Sequence, residues 1–560
     1  MTSKSPVRSC EDVDEQALRL IADMAEMRGH VIPVAERVAQ CGIGNGGRDG
    51  VRVRIPVAGD IDSIHVKCNS FGAVVRQTIS YYNLPAALVN DCSDKCKNCP
   101  VCWQASGRGL TRYVVISDKN GTVDENQLHI VKNYAIFGSK GVWLNQMADR
   151  RPATNCERWK QTMKDLKHLI YFENLLQEAN NELVQQAKAE GEHALGYTCY
   201  FVPETLLNLP GCFSSRLRAP NTGSIDVGTY YMSSKICSYT RSILERGIEG
   251  GYDYLDALLS SETCQMMHRG HEHFEILGLV KEKNPQFFMS MMDVPFSDED
   301  FAVDHYEEQL RVHVLEPLHE TYGIDISDKA IRAAIRDHNE ISRVMTEIGN
   351  LRKAANPVIT GYEFHVLQLV SQVCPHKRIL PYLKQTLTEL KRRKPDAQPW
   401  FRVRLVVTGS EIDDPAFTKL IEDCGAMVVA DRYCYGSLPG REQIEILDGE
   451  TPLRAVARHY LRTSQCPRFM ERARSDGRRT YVRDLCREYS ADGVLYEQMK
   501  FCEFWSYERV LGVHILQEEL GIPTVGIEKE YTLAGAGQLR TRIQAFVESL
   551  EIKHIQGGKL

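Results

Sequence analysis

Hydrophobic and polar positions follow different periods in different parts of the chain, and these periods predict its organisation. Residues 155–193 carry apolar side chains at three- and four-residue spacing without a proline, which predicts one or two connecting helices. After residue 194 short apolar runs alternate with helical segments, and long amphipathic runs dominate residues 296–395. The predicted segments are 1–150, 151–193, 194–295, 296–399 and 400–560.

The segment after residue 400 returns to short, apolar, strand-like runs. Four of them, separated by helical segments, are "RVRLVVTGSEID", "AMVVADRYC", "ADGVLYEQMKFC" and "GIPTVGIEKEY". Apolar strands that alternate with helices are typical of parallel sheets with crossover helices. We therefore predict an α/β fold. A separate N-terminal part opens with a helical pattern and continues, after a glycine-rich linker, with the strand-like "VRVRIPV".

The composition is that of an ordinary protein with buried cores: 560 residues, 43% hydrophobic and 25% charged, with a net charge of −6. Basic runs such as "KRRK" are short, so nucleic acid is not an expected partner. No stretch approaches the ~20 apolar residues that span a bilayer. The polar, acidic N-terminus lacks the apolar region of a secretory signal. We expect a cytoplasmic protein without a membrane partner.

Eighteen cysteines are the main chemical signal in the sequence. In a reducing compartment clustered cysteines are more often metal ligands or redox groups than disulfides, although some, such as Cys374, pack like small apolar residues. Cys434 and Cys502 each come just after a predicted strand, and Cys237 lies at a comparable strand-to-helix junction. Ligands bind at this edge of open parallel sheets. The three cysteines lack the close pairing of a structural zinc site.

Several motifs after residue 194 resemble those of a known family. In chain order they include "ALGYTCYFVPETLLNLPG", "YYMSSKICSYTRSILERG", "MMDVP", "NPVITGYE", "VVADRYCYG", "YLRTSQCP", "ADGVLYEQMKFCEFWSYE" and "GQLRTRIQAFVE". They are similar to the iron–sulfur subunits of 2-hydroxyacyl-CoA dehydratases and benzoyl-CoA reductases, a group that also includes the double-cubane cluster proteins. The resemblance covers residues 194–550, about two thirds of the chain.

The resemblance implies two Rossmann-like lobes with parallel sheets, joined by a helical region, and a cubane cluster between them. Carried over by position, its ligands are Cys237, Cys264 and Cys502, thiolates of the kind that a [4Fe–4S] cluster requires. Members of the family drive low-potential electrons into an acyl-CoA thioester and receive them from an ATP-dependent iron–sulfur activator protein. The sequence lacks a GxxxxGK[ST] phosphate loop, which agrees with this division of labour.

Two further cysteines, Cys434 and Cys466, exceed the needs of a single cubane. They resemble the pattern in double-cubane relatives, in which six cysteines hold an [8Fe–9S] cluster. The sixth ligand would then be Cys212 or Cys199, with Cys212 favoured; alternatively, Cys466, which precedes Pro467, is simply buried in a turn. A double cubane implies a reductase of small molecules and a homodimer. A single cubane implies a dehydratase or reductase component with a homologous sister subunit.

A second cysteine group, in "NDCSDKCKNCPVCW", consists of Cys92, Cys96, Cys99 and Cys102. Four thiolates this close repel one another unless a cation gathers them, so we expect a metal site. The spacing suits a [4Fe–4S] electron-relay cluster, and a small zinc knuckle is the alternative. The first three cysteines also match the CxxxCxxC spacing of radical S-adenosylmethionine enzymes, but the residues that follow do not supply the barrel that those enzymes need.

Other polar side chains leave their roles open. Arg216 and Arg218 could contact CoA phosphates or lie on the surface. His268, His271 and His273 could serve a cluster or form an exposed, cationic helix end. A non-enzymatic alternative is an electron-transfer module whose working part is the N-terminal cysteine group.

Overall fold

The computed structural model describes residues 163–220, 222–437, 442–533 and 535–557, together with the backbone of five short strands nearer the N-terminus. The chain divides after Arg158 into two compact units. Strands of the first unit are β1 (Val51–Val53), β2 (Ser63–Val66), β3 (Arg112–Ser117), β4 (Leu128–Val131) and β5 (Tyr134–Phe137). They form a mixed sheet in the order β1-β2-β3-β5-β4, with β3 and β5 parallel. Outside the described residues lie Cys92, Cys96, Cys99 and Cys102.

The second unit contains two four-stranded sheets, each belonging to one lobe. Strands of the first lobe are β6 (His193–Tyr197), β7 (Cys212–Arg216), β8 (Ala257–Ser261) and β9 (Phe288–Met292). Those of the second lobe are β10 (Val403–Gly409), β11 (Ala426–Tyr433), β12 (Gly493–Met499) and β13 (Thr524–Lys529). The strand orders are β7-β6-β8-β9 and β11-β10-β12-β13, and every pairing in both sheets is parallel.

Helices connect these strands and fill the region between the lobes. In the first lobe they are α1 (Leu169–Leu175), α2 (Glu182–Ala189), α3 (Glu204–Leu207), α4 (Asp226–Met232), α5 (Ser238–Ile248) and α6 (Gln265–Ile276). In the helical region they are α7 (Asp300–Leu310), α8 (Glu316–Tyr322), α9 (Asp328–Asn350), α10 (Gly361–Val373) and α11 (His376–Leu390). In the second lobe they are α12 (Pro415–Asp423), α13 (Pro452–Thr463), α14 (Arg472–Glu488), α15 (Glu503–His514) and α16 (Ala536–Ile555).

Local sequence explains where the long helices α9 and α10 begin. Ser327 begins α9, and its hydroxyl accepts the backbone N–H of Ala330. Thr360 and Glu363 form a capping box at the start of α10, in which each side chain accepts the other residue's backbone N–H. The same Glu363 carboxylate also pairs with Arg393 at 2.8 Å, and both side chains are buried. The last contact joins the start of α10 to the segment that follows α11.

Both faces of the second sheet are covered, which explains its continuous apolar strands. Leu405, Val407 and Leu495 pack on the face that also buries Ile543 of α16, whereas Val406 and its neighbours pack on the opposite face. The prediction of an α/β fold with two parallel sheets and intervening helices is therefore confirmed. Within the described part of the chain, no helix is long and apolar enough to cross a membrane.

The central strand of the second sheet should be sensitive to truncation. Leu405 is fully buried, so Leu405→Ala should leave a cavity and lower the free energy of unfolding by about 2–5 kcal/mol. Urea denaturation followed by circular dichroism measures the change. Ile552→Ala is the matched control: that side chain is 53% exposed, and its loss should change stability by about 0.5 kcal/mol or less. Equal losses in the two variants would contradict the assignment of this core.

Candidate metal centre

The carboxyl ends of the two sheets face each other. Arg216, the last residue of β7, reaches across and donates to the backbone oxygen of Cys434, just after β11, at 2.7 Å. The hydroxyl of Tyr435 returns the contact by donating to the backbone oxygen of Leu217. The Arg216 guanidinium also stacks 3.7 Å from the centre of the Tyr435 ring. Loops from the two lobes thus enclose one shared site.

A buried polar cluster clamps the lobes beside this site. Arg218 donates to the backbone oxygen of Asp413 at 2.9 Å, and the Tyr531 hydroxyl donates to the Asp413 carboxylate at 2.7 Å. The same hydroxyl accepts the backbone N–H of Ala219 at 2.9 Å, and the Tyr531 N–H donates to Ser238 at 2.8 Å. Three loops that are distant in sequence are therefore held in one arrangement.

Three cysteines that the sequence singled out each lie at the N-cap of a helix: Cys237 before α5, Cys264 before α6 and Cys502 before α15. Cys264 follows β8 and Cys502 follows β12, so both lobes contribute. Burial raises the pKa of each of these thiols, and backbone groups of the first helical turn act to lower it. Helix N-termini favour negative charge, so each position suits a thiolate. We call these three residues the first thiol group.

The sulfurs of the first thiol group are close enough to act on one another electrostatically. Burial raises the pKa of Cys502 well above its usual value, and the Cys264 and Cys237 thiols raise it further. Burial, followed by the effect of Cys237, likewise raises the pKa of Cys264. Without a metal these sulfurs are therefore protonated at neutral pH. A bound cation is what would convert them to thiolates.

A second set of three cysteines converges nearby: Cys199, Cys434 and Cys466. Burial raises the pKa of Cys434 well above its usual value, and Glu411, Cys466 and Cys199 add to the effect. Burial also raises the pKa of Cys466 to about 11, with a contribution from Cys199. We call these residues the second thiol group. Cys199 follows β6, Cys434 follows β11 and Cys466 follows α13.

Two side chains connect the thiol groups. The sulfur of Cys199 lies 3.2 Å from the hydroxyl oxygen of Thr263, the residue before Cys264. Burial raises the pKa of Cys434 and of Cys237, and the Glu411 carboxyl, in the loop after β10, raises both further. Burial raises the pKa of Glu411 itself to about 8, against the effect of Arg216, whose Nη2 lies 3.7 Å from its Oε2. The two groups thus line one continuous site.

The structure brings Cys199, rather than Cys212, to Cys434 and Cys466. Cys212 is the first residue of β7 and so lies at the opposite edge of the sheet. Its thiol donates to the backbone oxygen of Leu209 at 3.3 Å, and burial raises its pKa to about 12 without a contribution from another cysteine. The position of Cys212 therefore gives no support to its role as a sixth ligand.

The remaining polar candidates take positions that the sequence did not indicate. Arg216 and Arg218 are neither on the surface nor free for phosphates, because both are buried in the contacts between the lobes. His268 lies 3.5 Å from a carboxylate oxygen of Glu262, on a partly exposed part of α6. His271 is buried, its Nε2 lies 3.4 Å from the Thr198 hydroxyl, and its Nδ1 has no hydrogen-bond partner.

Two residues beside the first thiol group have positive backbone φ angles, which residues other than glycine rarely adopt. Phe501, directly before Cys502, has a φ of 65°, and Ser233, in the loop that leads to Cys237, has a φ of 80°. Left-handed conformations of this kind cost of order 1–3 kcal/mol and persist only where surrounding contacts impose them. The Lys235 ammonium lies 5.3 Å from the Phe501 ring centre and joins the two loops. The backbone therefore presents both sulfurs at fixed positions.

The donor set decides what such a site could hold. Within the described ranges, no group of three or more His, Cys, Asp and Glu residues forms a site for a single metal ion. Thiolates from three separate loops are soft ligands, and an iron–sulfur cluster spaces its ligands more widely than one ion does. The residues present fit a cluster at the first thiol group. The sequence did not indicate Glu411 or Thr263. It offered Cys199 only as the less favoured candidate for a sixth ligand, although Cys199 follows a strand in the manner of Cys434 and Cys502.

The buried polar cluster around Asp413 predicts that the free energy of unfolding depends on pH. Burial raises the pKa of Asp413 from 3.8 to about 6, so the folded state holds this proton more tightly than the unfolded state does. The contribution of Asp413 to the free energy of unfolding should therefore fall by up to ~3 kcal/mol as the pH rises through that range, and no further above it. Asp413→Asn should remove this component, which denaturation of the metal-free protein at several pH values measures. Asp448→Asn, at an exposed position, is the control; parallel curves for wild type and Asp413→Asn would contradict the assignment.

Comparison with known proteins places this site in a family. A family model described as 2-hydroxyglutaryl-CoA dehydratase, D-component, matches residues 199–550, more than half of the chain. The match begins at the first cysteine of the second thiol group and includes all members of both groups. It excludes the N-terminal unit, as the sequence motifs also do.

Several curated relatives are similar over nearly their whole length. The chain is 23% identical to the (R)-phenyllactyl-CoA dehydratase beta subunit of Clostridium sporogenes, over 68% of this chain and 97% of that protein. It is 25% identical to the beta subunit of the (R)-2-hydroxyglutaryl-CoA dehydratase of Acidaminococcus fermentans, over 66% and 95% of the respective chains.

A third relative belongs to a reductase rather than a dehydratase. The chain is 22% identical to one of the subunits of the benzoyl-CoA reductase of Thauera aromatica, over 64% of this chain and 91% of that protein. The expectation of an enzyme of dehydratase or reductase type agrees with all three names. From its matched residues, the chain belongs to the family of the 2-hydroxyglutaryl-CoA dehydratase D-component.

Proposed function

We propose that this chain is an iron–sulfur-dependent component of a 2-hydroxyacyl-CoA dehydratase or benzoyl-CoA reductase type of enzyme. The observation that carries the proposal is the convergence of Cys237, Cys264 and Cys502 from separate loops of two lobes. Bound there, a [4Fe–4S] cluster would supply one-electron reducing power and, with three protein ligands, an iron position open to a substrate oxygen. The acyl-CoA class of substrate is inferred from the names of the relatives.

The protein groups around this site perform distinct tasks in the proposed reaction. The N-termini of three helices stabilise the thiolates, and the surrounding apolar side chains limit water at the site. Glu411 lies within reach of both thiol groups and, with a pKa of about 8, can hold a proton at neutral pH. Arg216 keeps that carboxyl oriented through their contact at 3.7 Å.

A second candidate function, a double-cubane reductase of small molecules, is favoured by the second thiol group. Cys199, Cys434 and Cys466 together with the first group supply six thiols, the number that an [8Fe–9S] cluster takes. The contact between Cys199 and Thr263 supports a joint site rather than two independent ones. A homodimer would accompany this function.

Partners follow from the same reasoning. Several relatives are named as beta subunits, and we infer that this chain likewise assembles with a homologous sister subunit. We further propose an ATP-dependent iron–sulfur activator protein as the electron donor. The N-terminal cysteines, in this proposal, hold a second iron–sulfur cluster or zinc, and a cluster there would relay electrons. A cytoplasmic location fits this electron supply.

Iron counting distinguishes the two candidates. In protein purified without oxygen, Cys502→Ser should lower the iron content by about four atoms per chain, because it removes a ligand of the first cluster. Cys434→Ser should remove a similar amount only if the second thiol group also binds iron. Cys486→Ser is the matched control, since this buried thiol packs against apolar side chains of the second lobe. Unchanged iron in Cys502→Ser would reject the proposal.

Substitution of the N-terminal cysteines tests whether a cluster held by them relays electrons. We expect the variant with Cys92, Cys96, Cys99 and Cys102 all replaced by serine to retain iron in the core and to be reduced more slowly by an ATP-dependent activator. The measurement is stopped-flow reduction at matched concentrations, with chemical reduction by dithionite as the control. An electron-transfer module without catalysis would show reduction but no turnover of any 2-hydroxyacyl-CoA or aromatic acyl-CoA thioester. Undiminished activator-driven reduction would exclude the relay.

A further inference from the structure

A buried carboxyl lies where the central strand of the second sheet ends. Glu497, on β12, is fully buried, and its Oε2 accepts two hydrogen bonds from Ser410. The backbone N–H of Ser410 donates one and its hydroxyl the other, both at 2.8 Å. Among the described residues, the second carboxyl oxygen, Oε1, has no hydrogen-bond partner. Burying a carboxyl is unfavourable unless specific contacts hold it, and the contacts found here all come from one residue.

The residue before Ser410 has to be small for this contact to form. A Cβ atom added to Gly409, the last residue of β10, would lie 2.5 Å from the Glu497 Oε2 and 2.8 Å from the Glu497 Cβ. Non-bonded carbon atoms do not approach that closely, so any larger side chain would displace the carboxyl. The glycine at this position thus makes room for the contact between Glu497 and Ser410.

Ser410 also contacts the loops that carry one cysteine of each thiol group. Its backbone oxygen accepts the N–H of Cys434, just after β11, at 3.1 Å. Its hydroxyl oxygen accepts the N–H of Met499, the last residue of β12, at 3.0 Å. The backbone oxygen of Met499 in turn accepts the N–H of Cys502 at 2.9 Å. Because β10 lies between β11 and β12, one residue at its end connects Cys434 on one side with Cys502 on the other.

We propose that Ser410 and Glu497 are positioning residues that hold the Cys434 and Cys502 loops in register, so that the two thiol groups form one preformed site. Glu497 orients the Ser410 hydroxyl: the O–H donates to the carboxyl, and the hydroxyl oxygen then faces the N–H of Met499. Residues behind metal ligands commonly set the orientation of those ligands. The inference rests on the proposed function, because the cysteines that the pair positions are the proposed cluster ligands.

The test is alkylation of the metal-free, full-length protein with iodoacetamide, followed at each cysteine by mass spectrometry. Ser410→Ala removes the hydroxyl but keeps the backbone oxygen. Cys502 should react about tenfold faster in this variant, because the N–H of Met499 loses its partner and the segment opens more often. Cys434 should change much less, because its N–H keeps its partner. An unchanged rate at Cys502 would overturn the inference.

Two controls separate positioning from a general loss of stability. Cys212 and Cys486 are buried in other apolar clusters, so their alkylation in the same sample reports opening elsewhere in the protein. Ser371→Ala is the matched variant, because Ser371 is also buried and its hydroxyl donates to the backbone oxygen of Gln368 at 2.7 Å. It should leave the rate at Cys502 unchanged. Equal acceleration at all these cysteines, or in both serine variants, would overturn the inference.

Substitutions of Glu497 test the same contact from its other side. Glu497→Ala removes the acceptor of the Ser410 hydrogen bonds, whereas Glu497→Gln keeps an oxygen that can accept them. Glu497→Ala should accelerate alkylation of Cys502 as Ser410→Ala does, and it should lower the iron content of protein purified without oxygen. Glu497→Gln should restore both properties toward those of wild type. Equal effects of the two substitutions would contradict the role of the hydrogen bonds and overturn the inference.

The iron content of wild type separates failure of this inference from failure of the proposed function. If wild type binds no iron while Ser410→Ala gives the expected alkylation pattern, the proposed function fails and the positioning of Cys502 stands. If wild type is loaded and the variants of Ser410 and Glu497 match it in alkylation and in iron, the inference alone fails.

Discussion

The convergence of six thiols between two facing sheet edges is the constraint on which this structure depends. A parallel sheet exposes loops and helix N-termini at its carboxyl edge, and here two such edges meet. Arg216 and Tyr435 exchange hydrogen bonds across the junction, and Asp413 and Tyr531 hold it beside the thiols. Burial raises the pKa of five of these thiols, those of Cys237, Cys264, Cys434, Cys466 and Cys502. Occupation by a cation is thus coupled to ionisation of the thiols and to the closeness of the lobes.

The electrostatic character of the site is uneven, and this unevenness comes from residues outside the cysteine set. Helix N-termini lie at the first thiol group, whereas the guanidinium of Arg216 contacts the backbone of Cys434 in the second. Helix dipoles are fixed by the fold, while an arginine can be lost in one substitution. The first group therefore depends on backbone architecture, and the second depends on individual side chains. Glu411 acts on both groups, because it adds to the effect of burial in raising the pKa of Cys237 and of Cys434.

Sequence patterns predicted the parts of this protein whose causes are local. Apolar runs alternating with helices predicted the two parallel sheets, and Cys434 and Cys502 were found by their place after strands. The same rule favours Cys199, which follows β6, over Cys212, which begins β7 at the other edge. The roles of residues whose partners lie far along the chain were not predicted: Arg216 and Arg218 donate to backbone oxygens about 200 positions away. Their burial depends on how the lobes meet, which no local pattern records.

The left-handed backbone at Phe501 has a consequence for the direction in which Cys502 points. Because contacts within the folded chain impose this conformation, the packing of the protein, rather than a freely rotating loop, sets the position of the sulfur. A substitution at position 501 that relaxed this turn would therefore shift the thiol even though it changed no cysteine.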